Sequence, residues 1–327
     1  MTDLNQEISL DLIDRKIITE FDKNCRVSDT KLGKLVGRSR EAVKYRIKEL
    51  VRKGVITGFI TSINPNKMGY YFFKVYLRLK NIPGEREKFF EYLKTKKEIY
   101  WFGISDGAFD CAFGYLSKNI IDYYNEINVL LSKFEHLIVE KVLGLMVDTH
   151  QYNKKFLIKG TKASYVVFAG EVVDNKIDSL DQNIITVLAN DARASIIKIA
   201  KQLNSTPNTV KSRIERLEKL GIILGYRVAV DFNKIGYEFF KAIIYFKTLS
   251  KKDQNSLFEW MRVHPNSLYY IRSLAPWEVE FEFAVKNYQG FNTIINDLRK
   301  RFPQVVSHYE HLIMIYEVWM PAHYFSG

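Results

Sequence analysis

The 327-residue chain is long enough for two or three domains with real cores, and 47% hydrophobic against 26% charged residues excludes global disorder. No apolar run approaches the ~18–20 residues of a membrane span, the start of the chain lacks the basic and apolar regions of a signal peptide, which implies a cytoplasmic protein, and the two cysteines, Cys25 and Cys111, lie far apart with neither in a CxxC or metal-type cluster, which argues against a disulfide framework and a zinc site. The formal net charge of +12 points to a polyanionic partner, nucleic acid before anionic membrane.

The first element is a helix. Leu12, Ile13, Ile17, Ile18 and Phe21 recur at helical spacing, with Asp11 and Asp14 at its start. Ser28 and Asp29 cap a second helix carrying Leu32, Leu35 and Val36, which Gly37 ends in a tight turn. Ser39 is the N-cap of a third helix, with Val43, Ile47 and Leu50 as its buried stripe and Gly54 as its stop. Residues 55–60 then read as a small hairpin. Three short helices and a hairpin wing make a winged helix-turn-helix over residues 8–63.

Residues 64–152 change period. A strand over 70–79 sends Tyr71, Phe73, Val75, Leu77 and Leu79 to one face and Tyr70, Phe72, Lys74, Tyr76 and Arg78 to the other. A helix (85–94), two strands (99–105 and 109–115), a helix (120–131) and a strand (138–147) follow. That order is βαββαβ, a ferredoxin-like half-sandwich with helices on one sheet face. The other face carries aromatics and needs a cover, for which a second such sheet is expected. The join, 153–176, contains the apolar run 165–168, expected to dock as a strand on a sheet edge.

The chain then repeats itself. Shifted by 167 positions, residues 14–74 lie over 181–241 without a gap, and 23 of these 61 positions are identical. The second winged helix-turn-helix covers 177–230, with Asn204 to Pro207 as its turn, and a second ferredoxin-like domain covers 231–325. The fold expected is α+β, in two tandem units.

Both halves resemble the Lrp/AsnC, or feast/famine, regulators of archaea and bacteria. The matching stretches are residues 10–18, 43–50 and 54–56, with Gly107-Ala108-Phe109-Asp110 in place of the family's Gly-x-Tyr-Asp turn; the second copy departs there, with Ala275-Pro276-Trp277-Glu278. The family dimerises through its sheet domain, so this chain looks like that dimer fused. The resemblance implies double-stranded DNA as partner, further assembly as a homodimer or higher oligomer, and a small effector such as an amino acid near the turn. Asp106, Gly107 and Asp110 are the matched positions. The alternative for them is simply to shape a β-turn.

Charge supports the DNA reading independently. Lys plus Arg minus Asp plus Glu is about +10 over 10–80, about +5 over 176–247 and about −3 elsewhere. In the first copy the third helix concentrates it. A recognition helix presents its N-terminal residues to base edges while cations and amides hold phosphates. Base-edge candidates are Arg38, Arg40, Lys44 and Tyr45, and in the second copy Thr206, Asn208, Thr209 and Ser212. Ser39, Lys48, Ser205 and Lys211 complete the expected interface. Arg46 and Arg213, the same in both copies, are either phosphate contacts or ion-pair partners of helix-one carboxylates such as Asp14 and Asp181.

No catalytic constellation is present in the sequence: no glycine-rich phosphate loop, HExxH or nucleophile elbow. The expected function is sequence-specific DNA-binding transcriptional regulation, without enzyme activity, cofactor or metal. One alternative is an enzyme like the sirohaem decarboxylases, which have this two-module fold and use His, Tyr and Arg. Tyr269, Tyr270 and Arg272 are loosely placed for that, with no His beside them in sequence. The other is an architectural DNA binder with no effector.

Overall fold

A computed structural model describes residues 7–321. Residues 1–6, part of the start read above, and the end of the expected 231–325 domain lie outside them.

The first helical module is α1 (Leu12–Asn24), α2 (Asp29–Val36) and α3 (Arg40–Arg52). Each start carries the side-chain cap its sequence offers: Asp11, Ser28 and Ser39 each accept a backbone N–H from the first turn of the helix that follows. The second module repeats this as α6 (Ser179–Asn190), α7 (Ile196–Gln202) and α8 (Pro207–Lys219), capped by Asp178, Ser195 and Thr206. The turn before each third helix needs one left-handed residue. The first copy supplies Gly37 (φ 69°) and the second Asn204 (φ 50°), residue types that tolerate this region.

The wings differ from expectation. Neither module has a hairpin of its own. β1 (Ile56–Ile63) and β7 (Ile223–Val230) are single strands that pair antiparallel with each other, Phe59 opposite Val228 and Thr61 opposite Tyr226. A local hairpin needs a reversal within each strand. Gly58 lies inside the β1 ladder instead, opposite Ala229, and the apolar positions run on for eight residues. The pairing is doubly reinforced. Cys25 N donates to Tyr226 O and, symmetrically, Ala192 N donates to Phe59 O; Arg26 lies over the Tyr226 ring and Arg193 over Phe59. The two modules are thereby related by a pseudo-dyad.

The remaining strands form two βαββαβ units. The first is β2 (Tyr71–Leu79), α4 (Glu85–Lys94), β3 (Ile99–Gly107), β4 (Cys111–Ser117), α5 (Ile120–Ser132) and β5 (Ile138–Tyr152). The second is β8 (Glu238–Phe246), α9 (Lys251–Val263), β9 (Ser267–Leu274), β10 (Val279–Val285), α10 (Tyr288–Arg301) and β11 (Val306–Trp319). The linker strand β6 (Tyr165–Ala169) adds to β5, as its apolar run suggested. The sheets do more than cover each other. β5 pairs with β2 through its first half and with β9 through its second, and β11 likewise with β8 and β3. The ladder returns on itself as a ring of eight strands, all antiparallel, with no free edge in the ring.

The alternation read in β2 holds. Phe73, Val75, Leu77 and Leu79 pack beneath α4 and α5, while Phe72 and Tyr76 face the lumen, in a core continuous with both helical modules. The lumen also buries charge. Lys74 and Lys241, the matched residues of the two copies, both bind Glu280 Oε2, at 2.6 and 2.8 Å, and Lys241 also reaches Glu282 Oε1 at 2.9 Å. Only the second copy supplies these carboxylates. The matched first-copy positions are Ala112 and Gly114, and a Cβ on Gly114 would stand 2.2 Å from the Phe72 ring. Burial works to raise the Glu280 pKa, but the two ammoniums outweigh it and hold the carboxyl well below the usual range; burial draws Lys74 down to about 8.

A second buried charge ties modules to sheet. Asp22 of α1 receives Lys154 Nζ at 2.6 Å and Arg227 Nη2 of β7 at 2.9 Å. Burial alone would raise its pKa, yet the two cations pull it to about 2.

Two outcomes follow from these clusters. Glu280→Leu strands Lys74 without a partner and should cost about 3–5 kcal/mol in urea unfolding, while Lys74→Met should cost less, because Lys241 still neutralises Glu280; the reverse order would contradict the assignment. Since Asp22 is depressed in the fold, stability is gained above its unfolded pKa of 3.8 and lost as pH falls towards 2. Asp22→Asn should flatten that acid limb in pH-dependent melting, and an unchanged limb would count against the triad.

Candidate nucleic-acid interface

Each third helix buries a narrow stripe and leaves the rest to solvent. Val43 and Leu50 anchor α3; Val210, Ile214 and Leu217 anchor α8. On α3 the exposed face carries Arg40, Lys44, Tyr45 and Lys48, with Tyr45 67% exposed, and none of the three cations has a described ion-pair partner. A large aromatic held out in water beside free cations is suited to contact with base edges or sugar. Arg38 precedes the helix and bends back to Gly37 O at 2.8 Å. Ser39 is the N-cap, its Oγ accepting Ala42 N at 3.2 Å, so it shapes the helix start.

On α8 the first turn is neutral. Asn208 is exposed. Thr206 Oγ1 accepts Thr209 N at 3.1 Å and lies 2.8 Å from Thr209 Oγ1, and Ser212 donates to Thr209 O at 3.0 Å. Ser205 is half-buried in the turn, and exposed Lys211 stands 3.8 Å from Glu215. The two helices thus offer unlike surfaces: both keep a lysine, Lys44 and Lys211, but α3 adds Arg40 and Tyr45 where α8 has Pro207 and Ser212.

Arg46 and Arg213 occupy the same place in both modules. Arg46 Nη1 lies 2.7 Å from Asp11 and 2.8 Å from Asp14; Arg213 Nη1 lies 2.6 Å from Asp178 and 3.2 Å from Asp181. The ion-pair alternative is the one the geometry presents: each arginine fastens the third helix to the first. Sequence reading missed Arg216, which joins the buried Asp181 at 2.5 Å. It also passed over Lys31 and Lys34 of α2, exposed and matched by Lys198 and Lys201; their identity in both copies was the available signal.

The turn between β3 and β4 is closely bonded. Asp110 Oδ2 accepts Leu79 N at 2.7 Å and Oδ1 accepts Arg86 Nη2 at 2.9 Å. The Ala108 and Asp110 amides donate to His311 O and Leu77 O, and Gly107 pairs with Leu312 in the seam between the two units. Asp106 is exposed, with no described partner. The enzyme-type residues also have other tasks. Arg272 pairs with Asp148, Tyr269 accepts Gln151 Nε2 at 2.7 Å, and Tyr270 is buried beneath α9. The histidine absent from their sequence neighbourhood is present in space: the His150 ring stacks on Tyr270 at 5.7 Å, where burial lowers its pKa. Among the described residues no group of three or more His, Cys, Asp or Glu could hold a metal ion, and no helix is long and apolar enough to cross a membrane.

Comparison with known proteins agrees with this geometry. Residues 10–57 match a winged helix-turn-helix DNA-binding family, and 177–218 match the AsnC-type helix-turn-helix domain. A helix-turn-helix-type transcriptional regulator of Methanocaldococcus jannaschii, Ptr1, is 35% identical over 111 residues, which is 34% of this chain and 74% of that protein. The regulatory protein AsnC of Haemophilus influenzae is 42% identical over 64 residues, 20% of this chain and 43% of that one. The chain spans about half the length of the first curated relatives it matches. In fold, the crystal structure of the siroheme decarboxylase NirDL superposes with a TM-score of 0.63 at 9% identity, over 96% of both chains, a likeness of architecture that extends to both units. With two helix-turn-helix modules of this type and a relative matched over most of its length, the chain belongs to the Lrp/AsnC family of transcriptional regulators.

Proposed function

We propose that the protein is a sequence-specific, double-stranded DNA-binding transcriptional regulator whose two reading heads recognise unlike half-sites. One observation carries this reading: α3 and α8 both stand in solvent, while the rest of each module is tied down around them. Arginine and lysine on α3 suit guanine O6/N7 and phosphate; Asn208 on α8 suits adenine. A fixed pseudo-dyad with unequal heads calls for an imperfect palindrome.

The same reading gives the ferredoxin-like domains an amino-acid effector at the β3–β4 turn of the first copy. Asp106 is the free carboxylate for its ammonium, while Asp110 acts by fixing the turn through Arg86. Calorimetry with an amino-acid panel tests this, and heat that Asp106→Asn abolishes is the expected result. Assembly of the fused chain beyond one copy belongs to the same proposal.

The fold likeness to a siroheme decarboxylase keeps an enzymatic reading in view. It is disfavoured because Tyr270 lies within the core under α9 and Arg272 is engaged by Asp148. Mixing with sirohaem should leave the Soret region unchanged, and a bound spectrum would reopen it.

The DNA reading predicts a steep salt dependence. Arg40→Ala with Lys44→Ala should flatten the slope of log affinity against log salt, because two cations are withdrawn from the face that meets the polyanion. Arg46→Ala should instead lower the melting temperature and change the slope little. An unchanged slope in the double variant would remove α3 from the interface.

A further inference from the structure

The second ferredoxin-like unit carries a feature that DNA reading does not use. A cleft of about 390 Å³ opens where the end of α10 meets the ends of β8 and β11, lined by Lys247, Arg299, Lys300, Asn296 and Ser307 beside Pro303 and Val306. Three cations converge there and no carboxylate lines it. None of the three has an ion-pair partner among the described residues. The nearest acid on the helix, Asp297, is taken by Arg301 at 2.7 Å and by Trp260 Nε1 at 3.0 Å.

The bland explanation is that cations in a last helical turn complement the helix dipole. It accounts for Arg299 and Lys300 but not for Lys247, which arrives from β8. The chain also contains its own control. In the first copy the matched positions are Lys80, Leu131 and Ser132, with Glu135 in place of Pro303 and Val139 in place of Ser307. The same fold is thus built there with the strand-end lysine alone, so packing does not demand the two helical cations.

Position separates the cleft from the reading heads. β8 leaves the helical module at Glu238 and ends at Phe246, opposite Val306 at the start of β11. The other end of β11, Trp319, lies against β3 beside Tyr100, whose hydroxyl reaches Ile63 O of β1. The cleft is therefore at the end of β8 and β11 away from the helical modules.

We propose that this cleft is a binding site for a phosphate-bearing small molecule. Its volume falls within the range of small-molecule sites. A planar guanidinium and two ammoniums, with an amide and a hydroxyl as further donors, match a doubly or triply charged phosphate group. No aromatic side chain lines the cleft to stack a base, so the phosphate chain itself is what is recognised, whether free pyrophosphate or the tail of a nucleoside triphosphate. This site does not rest on the DNA reading.

Calorimetry on the full chain at low ionic strength tests it, with pyrophosphate, a nucleoside triphosphate and citrate as probes. Pyrophosphate and the triphosphate should bind once per chain with Kd below about 1 mM, and citrate about tenfold more weakly. Affinity gained with the triphosphate over pyrophosphate would identify a nucleotide as the source, and equal affinity the free phosphate. Lys247→Ala with Arg299→Ala, both exposed, should abolish this heat without lowering the melting temperature, whereas Arg40→Ala with Lys44→Ala should preserve it. Absence of heat at about 10 mM, equal binding of citrate, or heat retained in the cleft variant would overturn the proposal. So would a loss of DNA salt slope in that variant, which would give the cleft to DNA instead.

Discussion

Backbone pairing between the two copies is the constraint on which the rest of the structure depends. β1 lies against β7, and the ring of eight strands closes through β3 with β11 and β5 with β9. Neither unit completes its own sheet or its own wing. An isolated unit would expose strand edges and the aromatic face of β2, so association of the two halves is inseparable from folding. Covalent fusion makes that association independent of concentration. It also fixes the placement of α3 relative to α8, because each first helix packs against the other copy's strand and Asp22 is clamped by Arg227 and Lys154.

Fusion also frees the copies to diverge. A symmetric dimer must repeat any lumen carboxylate, whereas this chain places Glu280 and Glu282 on one side only and meets them with lysines from both. The third helices diverge in the same manner, with Arg40 and Tyr45 on α3 where α8 has Pro207 and Ser212. The outer helices follow: α10 carries Arg299 and Lys300 in its last turn, where α5 has Leu131 and Ser132. Residues that fasten the modules are among those the copies share, as Arg46 and Arg213 show.

Local signals were legible because they act locally. Ser28, Ser39 and Ser195 cap the helices they precede, Gly37 and Asn204 make the turns, and period-two alternation assigned both faces of β2. The wing was misread because 55–60 has the apolar content of a hairpin, and nothing local says that the partner strand lies about 167 residues away. Ring closure was hidden for the same reason: a second sheet was expected as cover, but edge pairing depends on register between units. In the interface, exposure of Arg40, Lys44 and Tyr45 followed from the helical stripe. The cap at Thr206, and the approach of His150 to Tyr270, needed coordinates.

Selection of bound duplexes from a random pool by the intact chain tests the central claim most directly. The account predicts two unlike half-sites at one fixed spacing, the half read by α3 changing when Arg40 is replaced and the half read by α8 changing when Asn208 is replaced. Recovery of a perfect palindrome, of half-sites at variable spacing, or of no sequence preference would contradict it.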